Sequence, residues 1–171
     1  NRELTNCATI TKNGETSIYF TIQDAIDAAS SGDVIEVAEG LYNEDIDITK
    51  SIDLLGPNHN ISPNNGERVA EAVIQSKDET YSRAITIDHD VDDVTVKGFT
   101  IKDSKAGFFV VHGNNSAADN ITININIIKD TEGKAINFVA QGSEPFGTHQ
   151  TITIHDNKIM NITGTNQSGI T

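Results

Sequence analysis

Large side chains are scarce in this sequence: aromatics make up 5% of it, Trp is absent and Met160 is its one methionine. That scarcity excludes a core of helices packed through bulky residues. It leaves the 36% apolar content to Ile, Val and Ala, which suit stacked strands. One cysteine, Cys7, excludes an internal disulfide and with it a stapled mini-domain. Placed in what reads as a mobile N-terminal stretch, it leaves a free thiol and a link to another chain equally open. Basic residues are few, 12 against 25 acidic ones, for a formal charge of -13. So acidic a surface disfavours nucleic acid, anionic membranes and polyanionic sugars, makes a cation the easier partner, and keeps an exported protein soluble. No stretch approaches the ~18 apolar residues of a membrane span, so membrane insertion is not expected, and there is no basic-then-apolar leader. A first residue of Asn1 rather than Met suggests a processed or excised chain. An extracellular or cell-surface location is inferred from composition and fold type.

Periodicity carries most of the information. Ile22, Ala25, Ile26 and Ala29 fall at i, i+3, i+4 and i+7 and predict one short amphipathic helix over 21–29, with Thr21 as its cap, Asp24 at the capping-box position and Gly32 just past its end. From Val34 the period changes to 2 and stays there. Strands of three to five residues follow, too brief for an open sheet of this size. They recur in three families. One reads Ile46-Asp47-Ile48, Ile85-Thr86-Ile87, Phe109-Val110-Val111, Ile136-Asn137-Phe138 and Ile170-Thr171. A second reads Ile52-Asp53-Leu54, Val94-Thr95-Val96, Ile121-Thr122-Ile123 and Ile152-Thr153-Ile154. A third reads Phe99-Thr100-Ile101, Asn126-Ile127-Ile128 and Lys158-Ile159-Met160.

The second family advances by 42, 27 and 31 residues, the mark of stacked repeats with an inserted loop. The loop falls at 56–70, where Pro57, Asn58, Asn60, Pro63 and Gly66 gather, and a second excursion covers 142–149. Such loops project from one flank and are where binding is expected. The fold expected is all-β: a right-handed parallel β-helix of about four coils over 33–171, behind a capping helix at 21–31 and an N-terminal extension at 1–20. The helix covers the N-terminal edge, and the coil that begins at Ser168 is left open. A β-sandwich of the same strands needs hairpins, and the one strong hairpin signal, Asn13-Gly14, precedes the helix.

The segment from Thr21 to Ala29, then Gly32-Asp33-Val34-Ile35-Glu36-Val37, then Gly40-Leu41-Tyr42-Asn43-Glu44, resembles the opening of the pectin-lyase-like superfamily. Its continuation through Lys50-Ser51-Ile52 to Val73-Ile74 is similar to β-helix repeats of large microbial surface and secreted proteins. The resemblance covers about residues 20 to 75 and implies the fold far more than an activity, because this opening serves pectinesterases, lyases, epimerases, nitrous-oxide-reductase maturation proteins and non-catalytic adhesive modules alike. In pectinesterases Gly40, Tyr42 and Glu44 would fall in a Gly-x-Tyr-x-Glu motif. Its physical reading is structural: Gly for the turn, Tyr packed over the helix end, Glu satisfying turn amides.

Catalytic sets are incomplete. The segments that carry a pectinesterase's carboxylates and glutamines have no counterpart. Asp92-Asp93 and His112-Gly113 resemble fragments of polygalacturonase motifs, but their partner segments are missing. A lyase needs a base and a cation for the uronate carboxylate. The only basic patch is Lys97, Lys102 and Lys105, a candidate ligand surface whose plainer reading is solvated charge. The five histidines, 59, 89, 112, 149 and 155, lack zinc spacing. Calcium is the one cofactor with support: Asp88, Asp90, Asp92 and Asp93 share a corner, and three of them share a side only if the segment stays extended. Asn120, Asn126, Asn137, Asn157 and Asn161 recur near strand ends and are expected to hydrogen-bond the backbone at turns. Sequons stand at Asn60, Asn114, Asn120, Asn161 and Asn166.

These readings converge on a non-catalytic extracellular module for surface structure, adhesion or carbohydrate contact. Its open end would be continued by more of the same chain or by head-to-tail self-association, with the stretch from Cys7 to Ile10 as a candidate pairing strand. The alternative is the N-terminal part of a polysaccharide-active enzyme, a lyase, hydrolase or epimerase.

Overall fold

The computed structural model describes residues 5–77, 83–112, 119–140 and 151–171. The fold opens with a hairpin of β1 (Ala8–Lys12) and β2 (Glu15–Tyr19), joined at Asn13-Gly14, whose φ values of 51° and 82° are those of a two-residue type I′ turn. The stretch expected to be mobile is thus ordered. Cys7 is buried, and the candidate pairing strand is already paired within the chain, to β2 on one side and β3 on the other. α1 (Ile22–Ala28) follows, burying Ile22, Ala25 and Ile26 as the 3.6-residue pattern predicts.

From Asp33 onward strands come in threes. The first round is β3 (Asp33–Val37), β4 (Gly40–Asn43) and β5 (Ile46–Ile48); the second is β6 (Ile52–Leu55), β7 (Ala72–Gln75) and β8 (Arg83–Ile87). The third is β9 (Val94–Lys97), β10 (Thr100–Lys102) and β11 (Ala106–His112). The fourth is β12 (Ile121–Asn124), β13 (Ile127–Lys129) and β14 (Glu132–Ala140), and the fifth β15 (Ile152–His155), β16 (Lys158–Met160) and β17 (Thr163–Ile170). The first members form parallel sheet A, the second sheet B and the third sheet C, so each strand lies beside the one three earlier. The rounds number five, not about four, because β3 and β4 also belong to the series and Asp33 pairs with Ile52 after only 19 residues. The hairpin extends sheet A to seven strands, antiparallel at that edge.

Register corrects two of the three strand families. In sheet C, Ile85 pairs with Phe108 and Ile87 with Val110, so Phe108, fully buried, holds the place expected for Phe109. In sheet B, Ile128 pairs with Ile159 rather than Met160. Since side chains alternate faces, a one-residue slip would have turned those ladders inside out. The true ladders are Ile35–Leu54–Val96–Ile123, Tyr42–Ile74–Ile101–Ile128 and Ile46–Ile85–Phe108–Ile136, and every member is at most 3% exposed. Burial of such side chains, about 1.5–3 kcal/mol each, is the main source of stability.

Corners are set by residues at positive φ. Gly98, Ile125 and Asp156 turn the chain from sheet A to B, and Asp103, Asp130 and Asn161 from B to C. Ile125, β-branched at φ 58°, is strained by roughly 1–2 kcal/mol. The loop at 56–71 is tied down at two points. Asn58, fully buried, donates to Val69 O and accepts from Val69 N, and Arg68 reaches three rounds. Its five N–H donors serve Glu71 twice, Ile61 O, Ile125 O at 3.0 Å and Phe99 O at 3.5 Å. The Ile125 strain is thereby met by a partner for its carbonyl. The excursion at 142–149 lies outside the described residues.

Candidate functional site

Gly40, Tyr42 and Glu44 stand where the hairpin, α1 and the first round meet. Gly40 has φ +147°, and a Cβ there would lie 2.1 Å from Asn6 Oδ1. That oxygen accepts from Leu41 N at 2.9 Å while Asn6 N donates to Glu39 O at 2.8 Å, so Asn6 imitates one more strand on the β4 edge. The Tyr42 hydroxyl donates to Ala38 O at 2.8 Å and lies 3.1 Å from Cys7 O, joining the hairpin to the first round. Burial pushes both the Tyr42 hydroxyl and the Cys7 thiol above their ordinary ranges. Glu44 accepts from Ile22 N and Gln23 N at 3.0 Å each, placing its charge at the positive end of α1. Thr21 Oγ1 accepts from Asp24 N at the same end, as the cap pattern predicts. At the other end Lys50 Nζ donates to the carbonyls of Ile26, Asp27 and Ala29.

Gln23, which no sequence signal singled out, pairs its amide both ways with the Asp47 backbone of β5, at 2.9 and 3.3 Å. It closes sheet C as Asn6 closes sheet B. Only a partner strand's geometry makes that role visible.

The recurring asparagines divide. Asn126 Oδ1 accepts from Phe99 N and its Nδ2 donates to Val96 O; one round later Asn157 Oδ1 accepts from Asn126 N and its Nδ2 donates to Ile123 O. This is a backbone ladder of the expected kind. Asn120 and Asn161 instead donate to Asp93 and Asp130 of the preceding round. Asn137 sits within β14, where its Oδ1 accepts from Lys134 and Thr171. Of the sequons, Asn60, Asn120 and Asn161 are exposed; Asn114 and the Asn166 side chain lie outside the described residues.

The four-aspartate corner does not gather. Asp90 and Asp93 have φ of 67° and 54°, so the segment is not extended and the shared side is lost. Asp88 accepts from His89 N, Asp90 meets the His89 ring at 2.9 Å, Asp92 accepts from Asp119 N, and Asp93 takes the Asn120 amide. Among the described residues no group of three His, Cys, Asp or Glu is placed to hold a metal. The three lysines are separated as well. Lys97 is on sheet A, Lys102 on sheet B beside Asp103 at 2.7 Å, and Lys105 in the turn before β11. His59 bonds Gly56 O and His155 stands between Asn124 and Asp156. The side chain of His112, with Gly113 and His149, lies outside the described residues.

A groove of about 430 Å³ is lined by Ser31, Gly32, Ser51, Ile52, Asp53 and Asp93. Sequence reasoning missed one stacked cation, Arg83, whose guanidinium carbon lies 3.4 Å from the centre of the Phe109 ring.

These features define an all-β protein of three largely parallel sheets that carries a hairpin, a helix and two side-chain amides on its N-terminal strand edges. Compared with protein-family models, with curated proteins and with solved structures, the chain matches none.

Proposed function

We propose that the chain is a right-handed parallel β-helix of the pectin-lyase-like kind that its N-terminal third resembles, and that it serves as a non-catalytic module of an extracellular protein, in surface structure, adhesion or carbohydrate contact. The observation that carries this reading is what the corner side chains do. Asn126, Asn157, Arg68, Asp92 and Asp93 all bond the backbone or a neighbouring round, so repetition itself is what they maintain. The outward face of sheet A supplies a contact surface. Thr95, Thr122 and Thr153 align in one file, and Lys97, Asn124 and His155 in the next. Threonine hydroxyls repeated at the ~4.8 Å strand spacing suit the hydroxyls of an extended neutral glycan. The strands β15, β16 and β17 have no neighbour on their outer side among the described residues, where a further parallel round would fit.

Binding to an array of neutral and acidic glycans, with and without calcium, tests the reading beside activity assays on pectate, alginate and neutral plant glycans. Retention on neutral glycans without product formation is expected, with Thr122→Glu reducing it. Turnover of any polymer would overturn the proposal in favour of the N-terminal part of a polysaccharide-active enzyme.

A further inference from the structure

We infer that the outer edge of β2 is a homodimerisation surface, on which two copies of this chain pair β2 with β2 antiparallel and merge their A sheets. The N-terminal edges of sheets B and C are answered by Asn6 and Gln23, but sheet A ends on β2, with no neighbour among the described residues. In a two-residue hairpin the flanking pair, Lys12 and Glu15, exchanges both hydrogen bonds, so residues 15, 17 and 19 turn their peptide groups to β1. Thr16 and Ile18 therefore turn theirs outward. An antiparallel register centred on Ser17 sets Thr16 against the second copy's Ile18 and the reverse, and both outward-facing residues meet hydrogen-bonding partners.

That register is self-complementary in its side chains too. Glu15 falls opposite Tyr19, so no like charges face each other, and Thr16 opposite Ile18 is a favourable β-branched pair. The edge is lightly protected: β2 has no proline and no lysine, its one charge, Glu15, stands at its first position, Ile18 is 50% exposed, and Phe20 just beyond it is 83% exposed. Charge permits the contact as well. Residues 1–20 hold two acidic and two basic side chains, whereas residues 21–93 hold 17 acidic and four basic ones. An isologous pair closes at two copies. Five residues a side is below the roughly 800 Å² per partner of a standard interface, so a Kd on the order of 0.1 mM is expected.

Sedimentation velocity over roughly 0.01 to 1 mM, which brackets that Kd, reads the outcome. Mass should rise from 18.4 kDa toward twice that value and stop there. Ser17→Asp and Ser17→Lys each put like charges opposite one another at the centre and should weaken association about fivefold or more, while an equimolar mixture of the two restores it. Thermal melts of each variant alone show that the fold is kept. A wild-type chain that stays monomeric, growth beyond two copies, or variants that pair as the wild type does would each overturn the proposal.

Discussion

The two ends of the molecule solve the same problem differently. At the N-terminal end, α1 lies under the first round, Asn6 and Gln23 complete two strand edges, and opposite charges from Glu44 and Lys50 hold a helix of only seven residues at both tips. At the C-terminal end Ile152, Ile154 and Ile159 are only partly buried, and Ile170 is 50% exposed. Charge follows the same division: residues 21–93 carry the whole net charge of -13, and residues 94–171 hold six acidic and six basic side chains. Side chains stacked in register repel when alike, so the acidic half must give its carboxylates partners. Glu44 takes helix amides, Glu71 takes Arg68, and Asp33 takes Lys12 and Ser30 N, which together hold its carboxyl below the usual range. A short helix and a bare sheet edge are each unstable alone; here one is made rigid by closing the other.

The difference in burial predicts the largest contrast. Ile26→Ala, in the covered end, should cost about 3 kcal/mol, and Ile159→Ala about 1 kcal/mol, because a half-open site loses less contact and leaves no sealed cavity. Equal losses in chemical denaturation would mean that the C-terminal rounds are as tightly closed as the first. A smaller contrast is expected along the asparagine ladder. Asn126→Ala strands the buried Phe99 N and Val96 O and should cost about 2–3 kcal/mol, whereas Asn157→Ala, at a half-buried rung, should cost about 1 kcal/mol. Amide exchange at Phe99 is the local readout, and a wild-type rate in the Asn126 variant would remove the ladder from the account.

Period and spacing made much of this visible from sequence. The 3.6-residue stripe of α1, the turn at Asn13-Gly14 and the second strand family all stand where the pattern put them. Register was the weak point. Phe108 and Phe109 are adjacent and equally apolar, and only pairing with Ile85 decides which faces inward. In the first round β4 was hidden for a similar reason, since it reads Gly-Leu-Tyr-Asn and has no apolar alternation until Tyr42 is recognised as its inward residue. The candidate sites depended on backbone conformation that period does not reveal: two aspartates at positive φ bend the acidic corner, and a corner turn puts Lys97 and Lys102 on different sheets. The amide caps, Asn6 and Gln23, have no sequence mark, because each acts by matching a strand edge far away in the chain.

The covered end also differs from the open one in its response to base. Tyr42 and Cys7 titrate above their ordinary values because burial disfavours their charged forms, and the carbonyls of Ala38 and Cys7 accept from the tyrosine hydroxyl only while it is protonated. A folded-state value raised above the unfolded one gives stability that is complete below the unfolded value and is lost as pH rises toward the folded one. The hairpin should therefore hold from neutrality to about pH 9 and loosen above about pH 10, the ordinary range of tyrosine. Tyr42→Phe should cost about 1 kcal/mol at pH 7, and that cost should shrink as pH rises, because the wild type is losing the same bond. Amide exchange of β1 and β2 against β12 and β15, measured at both pH values, separates a local opening of the covered end from general alkaline unfolding. Parallel loss of protection in all four strands would assign the effect to the whole fold.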